Sequence, residues 1–530
     1  MRVVITACLY AIVAAATTGC QQEYRSDARK LAGIWSNGNY PAAATLAYKD
    51  AREEARHRKN RVVYFLEGGR TAQAAGDYET SIECYDAAFV DMYPYMKEAP
   101  EATVSEAIVT TAMNDTMSRY RGTPNDRIML HAANALNFMA MGEMEDARVE
   151  LNRGILWTED AEHRYGKAIA LAHEKNNAKV AAATGKWDSK GGSTWSGNSS
   201  GVMHSNTDRI MSDHYGSIPD HAEHARYVNP WALHLDAVFR LTRGDGTYDN
   251  DHSMAHASLA EVMGMTPQLR PHLAAEMGWA SAGQTPPPTT WVYFMSGMGP
   301  YLEQETIAMP IPLSSGFTMP TLALPKLEFS DGTLEALHIG TSDRAGLQTH
   351  LLADTAAISA AQFKERLPII ISQEAMRATG KAIATYFAMQ AAQQAQNSWA
   401  SLLAIGALVY QIGSAQADLR CWRTMPAEIQ VARLATPADG QLQFRSPEGT
   451  ALGSVDLRPD ESHIVVVSVP SRTATMASIM PIQLTGPRDP YVPTFSLKPP
   501  PEAEETDPLD PAIAEDAPAE SAESTSANAS

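Results

Sequence analysis

The sequence predicts a multidomain α+β protein: an N-terminal α-helical repeat domain, a mixed helix/β-sheet domain after it, and a disordered acidic C-terminal tail. Three observations carry this expectation. Small residues and aromatics recur at matching positions in 62–90 and 128–154, and again from Asn229, in the pattern of paired helices joined by a tight turn. After a Pro-rich break, SAGQTPPP at 281–288, the pattern changes to short runs of β-branched and aromatic residues. From about Lys498 the chain is PPP followed by Ala, Glu, Asp, Ser and Thr without aromatics, a composition that cannot bury enough apolar surface to fold.

The first element, MRVVITACLYAIVAAATTGC, has a basic start at Arg2 and an uncharged, largely apolar run from Val3 to Ala16. The small residues Thr18 and Gly19 then precede Cys20. This is the layout of a cleaved lipoprotein signal over 1–19, with acyl chains attached through Cys20. The run falls short of the roughly 20 residues a membrane-spanning helix needs. Each buried methylene contributes about 0.8 kcal/mol, so two or three chains anchor a protein stably. Thr17 stands where such signals usually carry Leu, and an ordinary secretory signal cut near Ala16 or Gly19 is the alternative. Gln21, in place of the Asp that retains many lipoproteins at the inner membrane, points to a lipid-anchored, periplasm-facing protein of the outer membrane. Polar residues from Gln22 to Asp27 then form a short tether.

Residues 20–280 read as helical hairpins. In 62–90, Phe65 and Gly69 share one face of a first helix that ends at Gly76. Asp77-Tyr78 turn the chain, and a second helix presents Ser81, Tyr85 and Ala88. In 128–154, Ala135, Phe138, Gly142, Met144, Ala147, Leu151 and Gly154 take corresponding places. A third copy starts at Asn229-Pro230, which suit a helix start. A weaker first copy turns at Gly38-Asn39-Tyr40 and continues through Ala43 and Ala47. These stretches resemble tetratricopeptide (TPR) repeats, helix pairs that stack because no single pair can bury its apolar face. The Gly/Ser-rich segment at 184–207 is a flexible insertion.

Residues 289–497 form the expected α/β domain. TTWVYFM (289–295) and ETIAMPI (305–311) read as paired strands joined through a hairpin turn at GMGP, and FTMPTLALP (317–325) as a third strand. A helical block spans 355–417, with Pro368 at a boundary or first-turn position before a long helix, Ile369–Ala395. Its end, WASLLAIGALVYQIGSAQA (399–417), carries polar and glycine residues that favour a packed or amphipathic helix over a membrane span. Strands return at 428–434, 441–445 and 463–469, and the alternation of Ile429 and Val431 with Gln430 and Ala432 predicts a sheet with one buried face.

Net charge is −19 over 530 residues, and nine of the acidic residues lie in the tail at 501–530, where there is no Lys or Arg. An acidic chain without a basic block is no nucleic-acid binder. Of the four cysteines, Cys8 leaves with the signal and Cys20 is the lipidation site. Cys84 and Cys421 remain, either as a disulfide or as buried thiols. There is no SxxK or P-loop lysine motif, and GGRTAQAAG (68–76) fits helix packing better than a phosphate cradle.

Candidate binding residues are Tyr64, Arg70 and His131, on the first helices whose side chains would line a concave groove. Trp422, flanked by Arg420 and Arg423 at the return to strands, is a candidate anchor for a partner or else a structural corner. A second reading is a metal-dependent periplasmic enzyme or sensor built on His214, His221, His224, His252 and His256. His252 and His256 are four apart, and His221 and His224 three apart, so each pair shares a helix face. Neither cluster contains HExxH, and a solvated polar face explains both.

The segments RVVYFLEGGRTAQAAGDYETSI (61–82), 120–150, YVNPWALHLDAVFRLTRGDG (227–246), WVYFMSGMGPYLEQETIAMPI (291–311) and ADLRCWRTMPAEIQVARL (417–434) occur in an order that resembles a family of bacterial TPR-repeat-containing outer-membrane lipoproteins. The resemblance spans roughly Asp27 to Pro470. It implies an envelope-associated, protein-binding role, and it brings no catalytic residues and no cofactor. Some relatives appear beside lipoproteins that activate peptidoglycan synthesis, which implies an accessory role in that machinery or in secretion. The expectation is therefore a non-enzymatic scaffold or assembly factor. Its partners would be the membrane, through Cys20, and an envelope protein or peptide.

Overall fold

Local capping chemistry sets where the helices start and stop. The computed structural model describes residues 24–54, 59–93, 119–161, 166–190, 199–216, 218, 228–243, 250–313, 316–341, 346–395 and 416–497. All of these fall in one compact unit, Met1–Leu497. The signal and Cys20, most of the 399–417 run, His221 and His224, and the acidic tail lie outside the described residues.

Helices α1 (residues 24–36) and α2 (Tyr40–Glu54) are followed by the pair α3 (Arg61–Ala75) and α4 (Tyr78–Met92). Gly76 ends α3 in the left-handed conformation, with φ of 88°. Its N–H donates to the Gln73 carbonyl, and the Asp77 N–H donates to that of Ala72, closing the orphan carbonyls of the last turn. The Asp77 carboxylate then caps α4 by accepting from the Thr80 N–H. The next pair, α5 (Pro124–Met141) and α6 (Met144–Asp160), repeats the device: Gly142 has φ of 85°, and its N–H and that of Glu143 donate to Met139 and Phe138. Thr123 and Asp126 form a reciprocal capping box ahead of Pro124. Helices α7 (Gly166–Lys190) and α8 (Ser199–Tyr215) precede a further pair, α9 (Pro230–Thr242) and α10 (Asp251–Met265), and then α11 (Ala274–Ala282). The segment 184–207 is therefore not a flexible insertion in its described parts: 184–190 and 199–207 are helical, and Thr184 and Met203 are buried. As expected, Asn229 caps α9 and Pro230 takes its first position.

The strands are β1 (Thr289–Ser296), β2 (Tyr301–Ala308), β3 (Ile311–Leu313), β4 (Gly316–Thr318), β5 (Thr321–Glu328), β6 (His338–Gly340), β7 (Leu347–Gln348) and β8 (His350–Asp354). After α12 (Thr355–Ala395) come β9 (Glu428–Ala435), β10 (Gln441–Arg445), β11 (Ala451–Asp456), β12 (His463–Val469) and β13 (Ser478–Gln483). The chain is thus mixed α+β, as the sequence predicts.

A five-stranded sheet has the order β13-β12-β1-β9-β8. In it β1 runs parallel to β12, with Phe294 opposite Val467, and antiparallel to β9, with Val292 opposite Ala432. One face, with Trp291, Tyr293, Ile429, Val431, Ile464 and Val466, shares a core with α3, α5 and α9. The opposite face, with Val292, Phe294, Ala432, Val465 and Val467, packs on a second sheet of order β11-β10-β6-β7 through Ile339, Leu442 and Phe444. Because both faces are covered, β1 and β12 are buried at every residue and read as continuous apolar runs. A separate core joins the β2–β5 ribbon to α7, α8 and α12 through Val180, Ile210, Leu322, Leu324, Leu367 and Ile371.

The structure corrects three expectations about the second half. β1 does not pair with β2: it takes β12 and β9 as neighbours, and β2 pairs with β5 from Tyr301–Glu328 to Ala308–Thr321. GMGP is therefore a crossing between two sheets, where the Gly297 N–H donates to Val469 and the Gly299 N–H to Met425. Pro368 interrupts nothing, since α12 continues through it. The alternation in β9 does not mark a solvent face, because Gln430 is buried and accepts from the Thr349 hydroxyl at 2.6 Å.

Candidate functional site

The residues expected to line an open groove are instead packed inside the protein: Arg70 against the sheet, Tyr64 against α1 and His131 between α5 and α6. Arg70, 4% exposed, donates to Ser468 Oγ at 2.7 Å and to Gln73 Oε1 at 3.2 Å, with its guanidinium 5.5 Å from the Trp35 ring. Burial lowers its pKa. Tyr64 is buried and donates to Asp27 Oδ2 at 2.9 Å. His131 is buried between Glu150, whose Oε2 is 2.7 Å from Nδ1, and the Trp157 indole N–H, 3.1 Å from Nε2. An indole can only donate, so Nε2 is the acceptor and Nδ1 carries the proton towards Glu150. Trp422 is buried edge-on to Tyr85 at 6.1 Å and donates to Thr424 Oγ1. None of these four faces solvent. The signal was present in the sequence: VVYFLEGGRTAQAA has apolar or small residues all round the helix, the mark of a helix buried on every side.

The histidines are not assembled into a metal site among the described residues, which hold no group of three or more His, Cys, Asp or Glu with ligating geometry. His214 on α8 pairs with Glu305 of β2 at 3.0 Å. On α10, His252 is half-buried and His256 exposed. Their neighbour Asp251 is taken up by Arg148, at 2.7 and 2.9 Å, and by Arg240 at 3.2 Å. His221 and His224 lie outside the described residues. Cys84 and Cys421 are both free thiols.

A solvent-open cleft forms where three distant segments meet. Tyr24 at the start of α1 is locked to residue 421 twice: its hydroxyl donates to the Cys421 carbonyl and accepts from the Cys421 N–H, each at 3.1 Å. Its ring stands edge-on to Tyr64 at 5.9 Å. Glu67 of α3 accepts from the backbone N–H groups of Arg423 and Thr424, at 2.7 and 3.1 Å, and from the Thr424 hydroxyl. Burial nonetheless pushes its carboxyl up to about 7, and pushes the Cys421 thiol up to about 12. Arg420 is held by both oxygens of Asp418, at 2.8 and 2.7 Å, and donates to the Lys59 carbonyl. These contacts fix 418–424 against α1 and α3. Beside them opens a small, shallow cleft whose lining includes Tyr24, Arg25, Arg29, Tyr301, Glu303 and Arg423.

Comparison with protein-family models, with curated proteins and with solved structures gives no match to this chain. What it can do therefore rests on its own surfaces. The second helix of each pair faces outward and carries large exposed apolar side chains: Val90 on α4, Val149 and Leu156 on α6, and Met254 on α10. Val149 and Leu156 are seven apart and so lie on one side of α6, two turns from each other.

Proposed function

We propose that the chain is an envelope lipoprotein, anchored through Cys20 in the outer membrane and facing the periplasm, that acts as a non-enzymatic protein-binding scaffold or assembly factor. The helical half is read as TPR-like, and the matched glycine caps at Gly76 and Gly142 support that reading. The observation that carries the binding role is the exposure of large apolar side chains on each second helix, Val90, Val149, Leu156 and Met254. Removing such side chains from water is the usual driving force of protein association. The docking face is thus assigned to the second helices and not to the first, which the sheet occupies.

Crosslinking in the intact envelope, followed by mass spectrometry, tests this. A periplasmic or membrane protein should enrich with the wild type over a signal-matched control lipoprotein, and the enrichment should fall at least tenfold in Val149→Glu/Leu156→Glu. No enrichment, or enrichment indifferent to these substitutions, overturns the docking face. In the same cells Cys20→Ser should abolish labelling by radioactive palmitate; retained labelling overturns the anchor.

A further inference from the structure

We propose that the cleft beside the start of α1 binds the phosphate of an anionic phospholipid headgroup in the membrane that holds the chain. This rests on the anchor assigned to Cys20 above.

Position is the first argument. Tyr24 is fixed to the folded body through Cys421 and Tyr64. The four residues from Cys20 to Tyr24 span at most about 14 Å even when fully extended. A lipid on Cys20 therefore brings the headgroup layer to the edge of this cleft. Such tethering raises the local headgroup concentration far above that of a free phosphate ester.

Charge is the second argument. The chain is strongly acidic, at −19, yet the cleft gathers Arg25, Arg29 and Arg423 around a single acid, Glu303. Glu303 is engaged by Arg29 at 3.2 Å. Arg25 makes no ion pair among the described residues.

The third argument is an unmet hydrogen-bonding group. Arg423 lies with its guanidinium 4.5 Å from the Tyr301 ring centre, a stacking contact that holds its plane without neutralising it. Its Nε is buried and has no hydrogen-bond partner. Glu67 takes its backbone N–H. The planar Arg423 guanidinium at the cleft wall suits the paired oxygens of a phosphodiester, and the two other arginines complete a cationic rim. The three arginines in the lining suit an anionic headgroup and not an acyl chain.

The full chain carrying Cys20→Ser removes the covalent anchor and leaves the cleft. In flotation it should travel with vesicles of phosphatidylglycerol and phosphatidylcholine and not with vesicles of phosphatidylcholine alone. Arg423→Gln should weaken this retention at least tenfold, and Arg25→Gln severalfold. Arg458→Gln, outside the cleft, should leave it unchanged. Arg25 is at the start of a surface helix, so its substitution keeps the test intact even where Arg423→Gln lowers the melting temperature. Retention on both vesicle types alike, or retention indifferent to both arginines, overturns the pocket. Glycerol phosphate is the second arm. If it binds in an Arg423-dependent way while the vesicles do not, the lipid source is overturned and a soluble phosphate ester takes its place. Palmitate labelling of the wild type decides the anchor separately: labelling without Arg-dependent flotation sinks the pocket alone.

Discussion

His234 shows how a single residue ties stability to pH. It sits on α9 against β1, its Nδ1 2.8 Å from the Tyr293 hydroxyl and its Nε2 buried without a partner. Burial, aided by the positive charge of Arg433, lowers its pKa to about 3. Between that value and the ordinary pKa of about 6.5, the unfolded chain binds a proton at this site and the folded chain does not. Stability is therefore lost as pH falls below about 6.5, by up to about 1.4 kcal/mol per unit from this group. Glu67 has the opposite sign. Its carboxyl is raised from 4.5 to about 7, so in that window the folded state holds the proton and stability falls as pH rises. In urea titrations His234→Gln should lose less stability than the wild type between pH 6.5 and 4.5; parallel curves would contradict a neutral buried imidazole.

At the scale of elements, the α3–α4 pair depends on a helix approach that only glycine allows. A Cβ added at Gly69 would stand 2.6 Å from the ring of Tyr85. That ring cannot retreat, because Trp422 packs against it from the 418–424 segment. Gly69→Ala should therefore cost about 1–3 kcal/mol through overpacking. Gly264, inside α10, has nothing within 4 Å of a built Cβ. There the same substitution removes backbone freedom from the unfolded chain and should stabilise by up to about 1 kcal/mol. The two denaturation midpoints should move in opposite directions. The buried Asp236–Arg240–Asp251–Arg148 chain links α6, α9 and α10 in a similar way, with polar groups in place of close backbone contact.

Across the whole molecule, the contacts that join the helical half to the sheet span most of the sequence. Arg70 reaches Ser468, and the Tyr40 hydroxyl donates to the Ser468 carbonyl at 2.9 Å. The final described segment crosses back over the α3–α4 turn: Tyr491 stacks on Tyr78 at 5.0 Å, donates to the Gly76 carbonyl and accepts from the Tyr78 N–H. With one core shared between α3, α5, α9 and the sheet, the two halves should unfold together. Far-ultraviolet circular dichroism, which reports mainly the helices, and tryptophan fluorescence, which includes Trp291 and Trp422 in the sheet half, should give coincident transitions. A separate, earlier loss of helix would show that the halves are independent.

The sequence by itself determined what depends on neighbours a few residues apart. The caps at Gly76 and Gly142, the start at Asn229-Pro230, the break at 281–288 and the strands β1, β9, β10 and β12 are all local, and all were legible. The small and apolar residues around α3 and the apolar runs of β1 and β12 carried the signal of burial on every side, against the expectation of an open groove and a sheet with one buried face. Only the tertiary structure decided which surfaces meet. β1 chose partners well over a hundred residues away in place of β2, because pairing there buries both of its faces. Burial also took Tyr64, Arg70 and His131 out of the expected groove, made Trp422 a structural corner, and left Val149 and Leu156 exposed. The arginine cleft was illegible for a like reason. Arg25, Arg29 and Arg423 are ordinary surface charges in sequence, and they become a site only when packing brings 24–29, 301–303 and 419–423 together.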